Sequence, residues 1–191
     1  MVPRKRGFLI LYHSRYGTTK RYAEWIADEL NGDICPASDF GQSMLDGYDT
    51  IIIGRALFPG KIKGRNAFAE NREALKGRKV VLFSCGIADC AKGETRNSIS
   101  DRLQKEFPEE IVGAAKVFFL RGGMDYARLT PAHRLMMWMM KKMIAKKGVG
   151  ERSEEDREFL ATYGQRVDFS DRKSIVELVE WCKCKQKGVH P

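Results

Sequence analysis

Five short apolar segments alternate with amphipathic stretches along the chain, and this alternation is its strongest constraint on the fold. The segments lie at 8–12, 33–36 (the weakest), 50–54, 79–84 and 115–120. Residues 51–53 and 80–83 are apolar at every position, which is typical of strands buried on both faces of a parallel sheet. Helical spacing predicts helices at about 20–30, 64–75, 95–106 and 173–184. The sequence therefore predicts an α/β fold with helices on both faces of a five-stranded parallel sheet.

The turn between the first strand and the first helix is rich in hydroxyl groups. It contains four hydroxyl side chains, one glycine and no acidic residue, in the order Ser14, Arg15, Tyr16, Gly17, Thr18, Thr19. The free N–H groups of a first helical turn attract anions, and phosphate suits them best. Gly17 would let a ligand approach the backbone closely, and the hydroxyls would add donors. The alternative is an ordinary turn in which Thr18 or Thr19 caps the helix, although a cap explains one hydroxyl and not four.

This turn resembles the FMN-phosphate loop of the flavodoxin family. The resemblance implies FMN as cofactor and the strand order 2-1-3-4-5, with the ligand at the carboxyl ends of the strands beside the switch point. It implies that the phosphate contacts Ser14, Arg15, Tyr16, Gly17, Thr18 and Thr19. Two further loops would enclose the flavin ring, one formed by Ala56, Leu57, Phe58, Pro59 and Gly60 and the other by Ser84, Cys85, Gly86 and Ile87.

The connection after the fifth predicted strand is unusually long. It spans about fifty residues, where a strand and a helix are usually joined by a few. We predict a single domain over 1–191 in which residues 121–158 form an insert carrying a helix from Pro131 to Lys147. On a helix with about 100° per residue, one broad face collects Leu135, Met136, Met137, Met139, Met140, Met143 and Ile144. The other side collects Arg134, Lys141, Lys142 and Lys146, with Trp138 near the boundary.

This methionine-rich helix has three interpretations. It could pack against its own domain, as a methionine stripe usually does, or form the face of a homodimer. It could also contact a membrane surface or a flat apolar substrate such as a porphyrin or quinone. The segment is too short to span a bilayer, so a membrane contact through 131–147 would be peripheral.

The loop and the insert together resemble the menaquinone-dependent protoporphyrinogen dehydrogenases, an FMN-dependent group within the flavodoxin family. The resemblance implies an enzyme that oxidises protoporphyrinogen IX, passes electrons to a quinone and associates with the inner face of the cell membrane. It assigns no catalytic side chain. An electron carrier that docks on partner redox proteins is the alternative. A flavodoxin-derived domain without FMN, acting as an interaction module through its helix, is a third hypothesis.

Charge and cysteine content bear on partners and location. The net charge is +9, which favours an acidic partner such as anionic lipid. No nucleic-acid motif accompanies the basic residues, so we expect no nucleic-acid partner. Five cysteines, with no stretch resembling a signal peptide, predict reduced thiols in the cytoplasm. The spacings of the cysteines and histidines predict no metal site.

Overall fold

The structure is a computed structural model that describes residues 7–56, 72–75, 78–87, 97, 101, 113 and 115–186. Its main sheet contains five parallel strands in the order β2-β1-β3-β4-β5. The strands are β1 (Phe8–His13), β2 (Asp33–Pro36), β3 (Thr50–Ala56), β4 (Lys79–Gly86) and β5 (Lys116–Arg121). The predicted fold class and strand order are confirmed, and each predicted strand lies within two residues of the observed one.

Five α-helices are found in the described parts of the chain. They are α1 (Thr18–Leu30), α2 (Arg72–Leu75), α3 (Pro131–Lys146), α4 (Glu154–Thr162) and α5 (Val176–Gln186). The predicted helix at 173–184 begins instead as a 3-10 turn, Arg172–Ile175, before α5. Most of the helices predicted at 64–75 and 95–106 lies outside the described residues, although Asn97 and Asp101 are helical.

Apolar side chains cover both faces of the sheet. Residues of β1 alternate between the two faces: Phe8 and Ile10 join the cluster of α1 and α5, whereas Leu9 and Leu11 join the opposite cluster. The same alternation in β3 sends Ile52 to the first cluster and its neighbours to the second. This double burial explains why the central strands are apolar at every position.

The insert contains a two-stranded sheet that is separate from the main sheet. Two short strands, β6 (Gly123–Asp125) and β7 (Arg166–Asp168), pair antiparallel, and α3 and α4 lie between them in the sequence. Neither strand was predicted from the sequence. No structure was predicted for the acidic segment either, whereas Ser153 and Asp156 form a capping box that starts α4 there. These two strands and the helices between them span residues 123–168, and the insert bounds of 121–158 stay a prediction.

The broad apolar face predicted for α3 is divided in the structure. Met137 and Ile144 are buried, and Met136 packs beside Met137 in the apolar cluster of the insert. Four large apolar side chains lie on the exposed surface of the helix, namely Leu135, Trp138, Met139 and Met143. We call these four residues the exposed stripe. In the described parts of the chain, no helix is both long and apolar enough to cross a bilayer.

Candidate functional site

The register of the parallel strands brings four loops to one edge of the sheet. Tyr12 pairs with Gly54, Ala56 pairs with Cys85, and Gly86 pairs with Arg121. The residues that follow β1, β3, β4 and β5 therefore leave the sheet side by side. The predicted phosphate loop and the described parts of the two predicted ring loops lie at this common edge.

The phosphate loop begins α1 without a side-chain cap. Gly17 is the N-cap residue, with φ of +97° and no capping hydrogen bond from a side chain. Its own N–H donates to Ser14 Oγ at 3.1 Å, and its carbonyl accepts the first helical bond, from Arg21 N at 3.0 Å. The alternative in which Thr18 or Thr19 caps the helix is therefore wrong. The amides of the first turn are left for another acceptor, as an anion site requires.

A buried hydroxyl in the first turn supports an anion at this position. Thr19 is 1% exposed, and its Oγ1 has no hydrogen-bond partner among the described residues. A buried hydroxyl without a partner costs free energy, so its presence beside uncapped amides favours a ligand that supplies an acceptor. Ser84 in β4 is equally buried, and its Oγ also has no partner among these residues.

Tyr16 turns its side chain away from the loop and toward the insert. Its hydroxyl oxygen lies 2.7 Å from His133 Nδ1 and accepts a hydrogen bond from Thr130 N at 3.3 Å. The ring packs in the apolar cluster of the insert, which includes Met137 and Ile87. Only the backbone of Tyr16 is then offered to a phosphate. The sequence gives no signal that relates positions 16 and 133, and His133 was not predicted as a site residue.

The double glycine after β5 lets the insert pass close to the site. Gly122 N donates to the Gly86 carbonyl at 2.6 Å. A Cβ on Gly122 would lie 2.7 Å from Cys85 Sγ and 3.2 Å from Thr18 Cγ2, so only glycine fits there without rearrangement. Gly122 therefore connects the phosphate loop and the second ring loop through one close approach. The glycine pair itself was the available sequence signal for this contact.

Burial shifts the pKa of three described groups, His133 and Tyr126 at the insert and Cys182 in α5, toward the neutral form. Burial, followed by the nearby Arg15 charge, lowers the pKa of His133. Burial and Tyr163 raise the pKa of Tyr126 in the insert to about 12. Burial likewise raises the pKa of Cys182 to about 12. In the described residues, no group of three or more His, Cys, Asp or Glu side chains could hold a metal ion.

Part of the predicted ring site falls outside the described residues. Leu57, Phe58, Pro59 and Gly60 lie there, so the first ring loop is represented only by Ala56, half-buried at the end of β3. Of the second ring loop, Ser84, Cys85 and Gly86 close β4, and Ile87 follows them and packs on the insert. The described residues of all three loops thus meet at one sheet edge.

Comparison with known proteins agrees with this architecture. A sequence model of the family described as "Flavodoxin domain" matches residues 9–149, which is most of the chain. The chain belongs to the flavodoxin domain family. Membership indicates FMN as the cofactor, and the uncapped first turn with its buried Thr19 hydroxyl fits the phosphate of that group. No curated protein matches the sequence.

The chain is also similar to solved flavodoxins at low sequence identity. The two-electron reduced flavodoxin of Megasphaera elsdenii is 20% identical, with 59% of this chain and 82% of that chain covered and a TM-score of 0.41. Oxidised Flavodoxin 2 of Bacillus cereus is 19% identical, with coverages of 83% and 94% and a TM-score of 0.39. A flavodoxin from the domain Archaea is 15% identical, with coverages of 93% and 99% and a TM-score of 0.41.

Proposed function

We propose that this flavodoxin is a redox protein that holds FMN at the carboxyl edge of its sheet. The observation that carries the proposal is the start of α1, where Gly17 leaves the first-turn amides uncapped beside the buried Thr19 hydroxyl. Amides and hydroxyls that converge without an acceptor suit a phosphate dianion. FMN, when bound, accepts and releases electrons, and the protein holds the group, shields it and sets its potential.

Each residue of the loop makes a different contribution to the proposed phosphate site. Thr18 and Thr19 offer amides and hydroxyls, and Gly17 offers space, since a Cβ there would meet nothing within 4 Å. Arg15 is exposed and adds positive charge. Ser14 already accepts from Gly17 N, so its hydroxyl proton remains available for the phosphate. Tyr16 contributes its backbone alone. The ring would lie between the loop from Ala56 to Gly60 and the loop from Ser84 to Ile87.

Two buried threonines provide a matched test of the phosphate site. Thr19 and Thr50 are both 1% exposed, and the hydroxyl of each has no partner among the described residues. Thr50 begins β3 and therefore lies at the opposite edge of the sheet from the loop. Thr19→Val and Thr50→Val each remove an unpaired hydroxyl, so neither should destabilise the FMN-free protein.

The test is a titration of the FMN-free protein, followed by flavin fluorescence and absorbance. We expect wild type and Thr50→Val to bind FMN equally, and Thr19→Val to bind it about ten- to a hundredfold more weakly through the loss of one hydrogen bond to a charged group. Riboflavin, which lacks the phosphate, should bind both variants alike. Absence of FMN binding by the wild type would overturn the proposal and favour an interaction module that has lost the cofactor.

The exposed surface of α3 favours contact with a membrane. The exposed stripe presents Leu135, Trp138, Met139 and Met143 to solvent, with Met143 68% exposed. Arg134, Lys142 and Lys146 are exposed around it, and Lys142 Nζ lies 5.6 Å from the Trp138 ring centroid. Cations beside a tryptophan and soft apolar side chains are typical of a helix that lies on an anionic bilayer. We therefore propose peripheral membrane contact through 131–147.

The position of α3 relates this surface to the flavin edge. His133, in the first turn of α3, contacts Tyr16 of the phosphate loop, so the exposed stripe begins within two residues of that contact. The stripe therefore starts at the end of α3 that lies nearest the cofactor edge, and an apolar substrate of the porphyrinogen or quinone class would bind at this end. On this basis we propose an oxidoreductase that takes hydrogen from protoporphyrinogen IX and delivers electrons to a quinone.

The enzymatic proposal is tested with the FMN-loaded protein, protoporphyrinogen IX and menaquinone. We expect turnover that rises with vesicles containing anionic lipid and falls in Met139→Glu/Met143→Glu. Val176→Glu is the matched control, since Val176 is an exposed apolar residue on α5, outside the stripe. Flavin reduction by a reductase, with two separate one-electron potentials and no porphyrinogen turnover, would instead support the alternative, an electron carrier that docks on redox proteins. Size-exclusion chromatography of the same variants tests a homodimer formed through α3.

A further inference from the structure

The hydroxyl of Tyr16 joins the phosphate loop to the first turn of the insert helix. It contacts two residues of that turn: Thr130 N, which donates to it at 3.3 Å, and His133 Nδ1, 2.7 Å away. Thr130 is the N-cap residue of α3, and its side chain accepts from His133 N at 3.3 Å. The two aromatic rings meet edge to face with centroids 5.9 Å apart. These contacts therefore connect a loop and a helix that are 117 residues apart in the sequence.

The direction of each hydrogen bond in this set follows from the chemistry of its members. Thr130 N can only donate, so the Tyr16 oxygen accepts from it and keeps its own proton for another acceptor. Burial and the charge of Arg15 lower the pKa of His133, which favours the neutral imidazole at pH 7. With its proton on Nε2, the imidazole offers Nδ1 as that acceptor. The Tyr16 O–H therefore donates to His133.

Tyr16 immediately precedes the turn that forms the proposed anion site. Gly17, with its φ of +97°, follows Tyr16, and the uncapped amides of α1 follow Gly17. The Tyr16 ring is also held by the apolar cluster of the insert. Fixing Tyr16 from outside the loop therefore limits the conformations in which the loop can present its amides, and a preorganised site loses less entropy when a ligand binds.

We propose that His133 is a positioning residue of the phosphate loop, which it holds in its binding conformation through the Tyr16 hydroxyl. This inference rests on the proposed FMN site and adds that the insert determines how well that site binds phosphate. Its specific consequence is discrimination: the His133–Tyr16 contact should favour FMN over riboflavin, because only FMN uses the loop. A contact that merely stabilised the fold would affect both flavins equally.

Three substitutions separate positioning from general stability. Tyr16→Phe removes the hydroxyl and keeps the ring. His133→Ala removes the acceptor, and His133→Asn restores an acceptor oxygen close to the position of Nδ1. We expect Tyr16→Phe and His133→Ala each to weaken FMN binding about fivefold, as expected for one neutral hydrogen bond. His133→Asn should bind FMN within about twofold of wild type, and Tyr16→Phe/His133→Ala should be no weaker than either single variant.

Riboflavin affinity and the urea midpoint are measured for each variant. Riboflavin binding should change less than about twofold throughout, and the FMN-free variants must be folded at the temperature of the titration. Equal FMN affinity in wild type and His133→Ala would overturn the inference and leave the FMN site standing. Parallel losses for FMN and riboflavin, or additive losses in the double variant, would also overturn it. If the wild type binds neither flavin, the proposed function fails and the inference fails with it.

Discussion

The guanidinium of Arg121 donates from Nε to the carbonyl oxygen of Ile87 at 3.0 Å. The same group forms an ion pair with Glu158 of α4 and lies over the ring of Phe169, 3.8 Å from its centroid. Arg121 ends β5, whereas Ile87 follows β4 in the second ring loop. One side chain thus holds the ring loop, the insert helix α4 and the segment after β7 together.

Removal of this side chain should destabilise the protein. We expect Arg121→Ala to lower the free energy of unfolding by about 2 kcal/mol, because it leaves the Ile87 carbonyl without its charged donor. Glu158→Gln should cost only about 0.5 kcal/mol, since the carboxylate is partly exposed and the other two contacts of Arg121 remain. Urea denaturation measures both. Equal losses in the two variants would contradict the central role given to the Ile87 contact.

The parallel sheet could be predicted from the sequence because its signal is local. Continuous apolar runs such as 51–53 and 80–83 can be satisfied only by burial on two faces, so the strand assignments followed directly. The insert gave weaker signals. Strands β6 and β7 have three residues each and pair across about forty residues, so neither has enough length for its alternation to be recognised.

The sequence was sufficient to propose the part of the candidate site whose residues lie on one continuous segment. The phosphate loop is contiguous in the sequence, and its hydroxyls and Gly17 indicate an anion site through residue type and spacing alone. The contacts of Tyr16 with His133 and of Arg121 with Ile87 depend instead on tertiary packing, which no spacing encodes. Periodicity likewise predicted the broad apolar face of α3, but it does not indicate which part of a wide face meets a neighbour.

A substitution at Gly17 should affect both the fold and the cofactor. The φ of +97° is strained for any side chain, so we expect Gly17→Ala to lower the free energy of unfolding by about 1–2 kcal/mol. It should also weaken FMN binding, because relief of the strain moves the first-turn amides. Gly41→Ala is the matched control: its φ is −131°, and a Cβ there meets nothing within 4 Å. Calorimetry and FMN titration compare the two variants. Unchanged stability and unchanged FMN affinity in Gly17→Ala would contradict the prediction.

Gly54 is required by the close approach of one aromatic ring. A Cβ at Gly54 would lie 2.1 Å from Cζ of Phe83, its register partner in β4, and Phe83 is itself buried. We expect Gly54→Ala to destabilise the protein by about 1–3 kcal/mol through overpacking. Phe83→Leu in the same chain should recover part of that loss, so the double variant should be more stable than the sum of the single changes predicts. Thermal unfolding of the four proteins tests this, and strict additivity would refute it.

Two methionines of α3 should differ sharply in their contribution to stability. Met137 is 3% exposed and belongs to the apolar cluster of the insert, whereas Met139, two residues later, is 51% exposed. We expect Met137→Ala to lower the free energy of unfolding by about 2–3 kcal/mol, mainly from lost burial and the cavity that remains. Met139→Ala should change it by less than about 0.5 kcal/mol. Similar losses in the two variants would mean that the exposed stripe is covered in solution, which size-exclusion chromatography would then reveal as self-association.

The Arg21–Asp168 ion pair should make stability depend on pH in the acid range. Asp168 Oδ2 lies 2.7 Å from Arg21 Nη1 and links β7 of the insert to α1. Burial acts to raise the pKa of Asp168, but hydrogen bonds from Ser170 and Arg21 outweigh it and hold the pKa below the ordinary value of 3.8. A lowered carboxylate pKa stabilises the fold above that ordinary value, and the stabilisation is lost as pH falls through the folded-state pKa. Because both side chains are more than one-third exposed, we expect only about 0.5 kcal/mol, further reduced by 1 M salt. Urea denaturation between pH 2 and pH 7 measures the free energy of unfolding. It should fall less steeply with decreasing pH in Asp168→Asn than in wild type. The control is Asp46→Asn, at a largely exposed carboxylate, which should follow the wild-type curve. Identical curves for Asp168→Asn and wild type would show that this pair makes no pH-dependent contribution to stability.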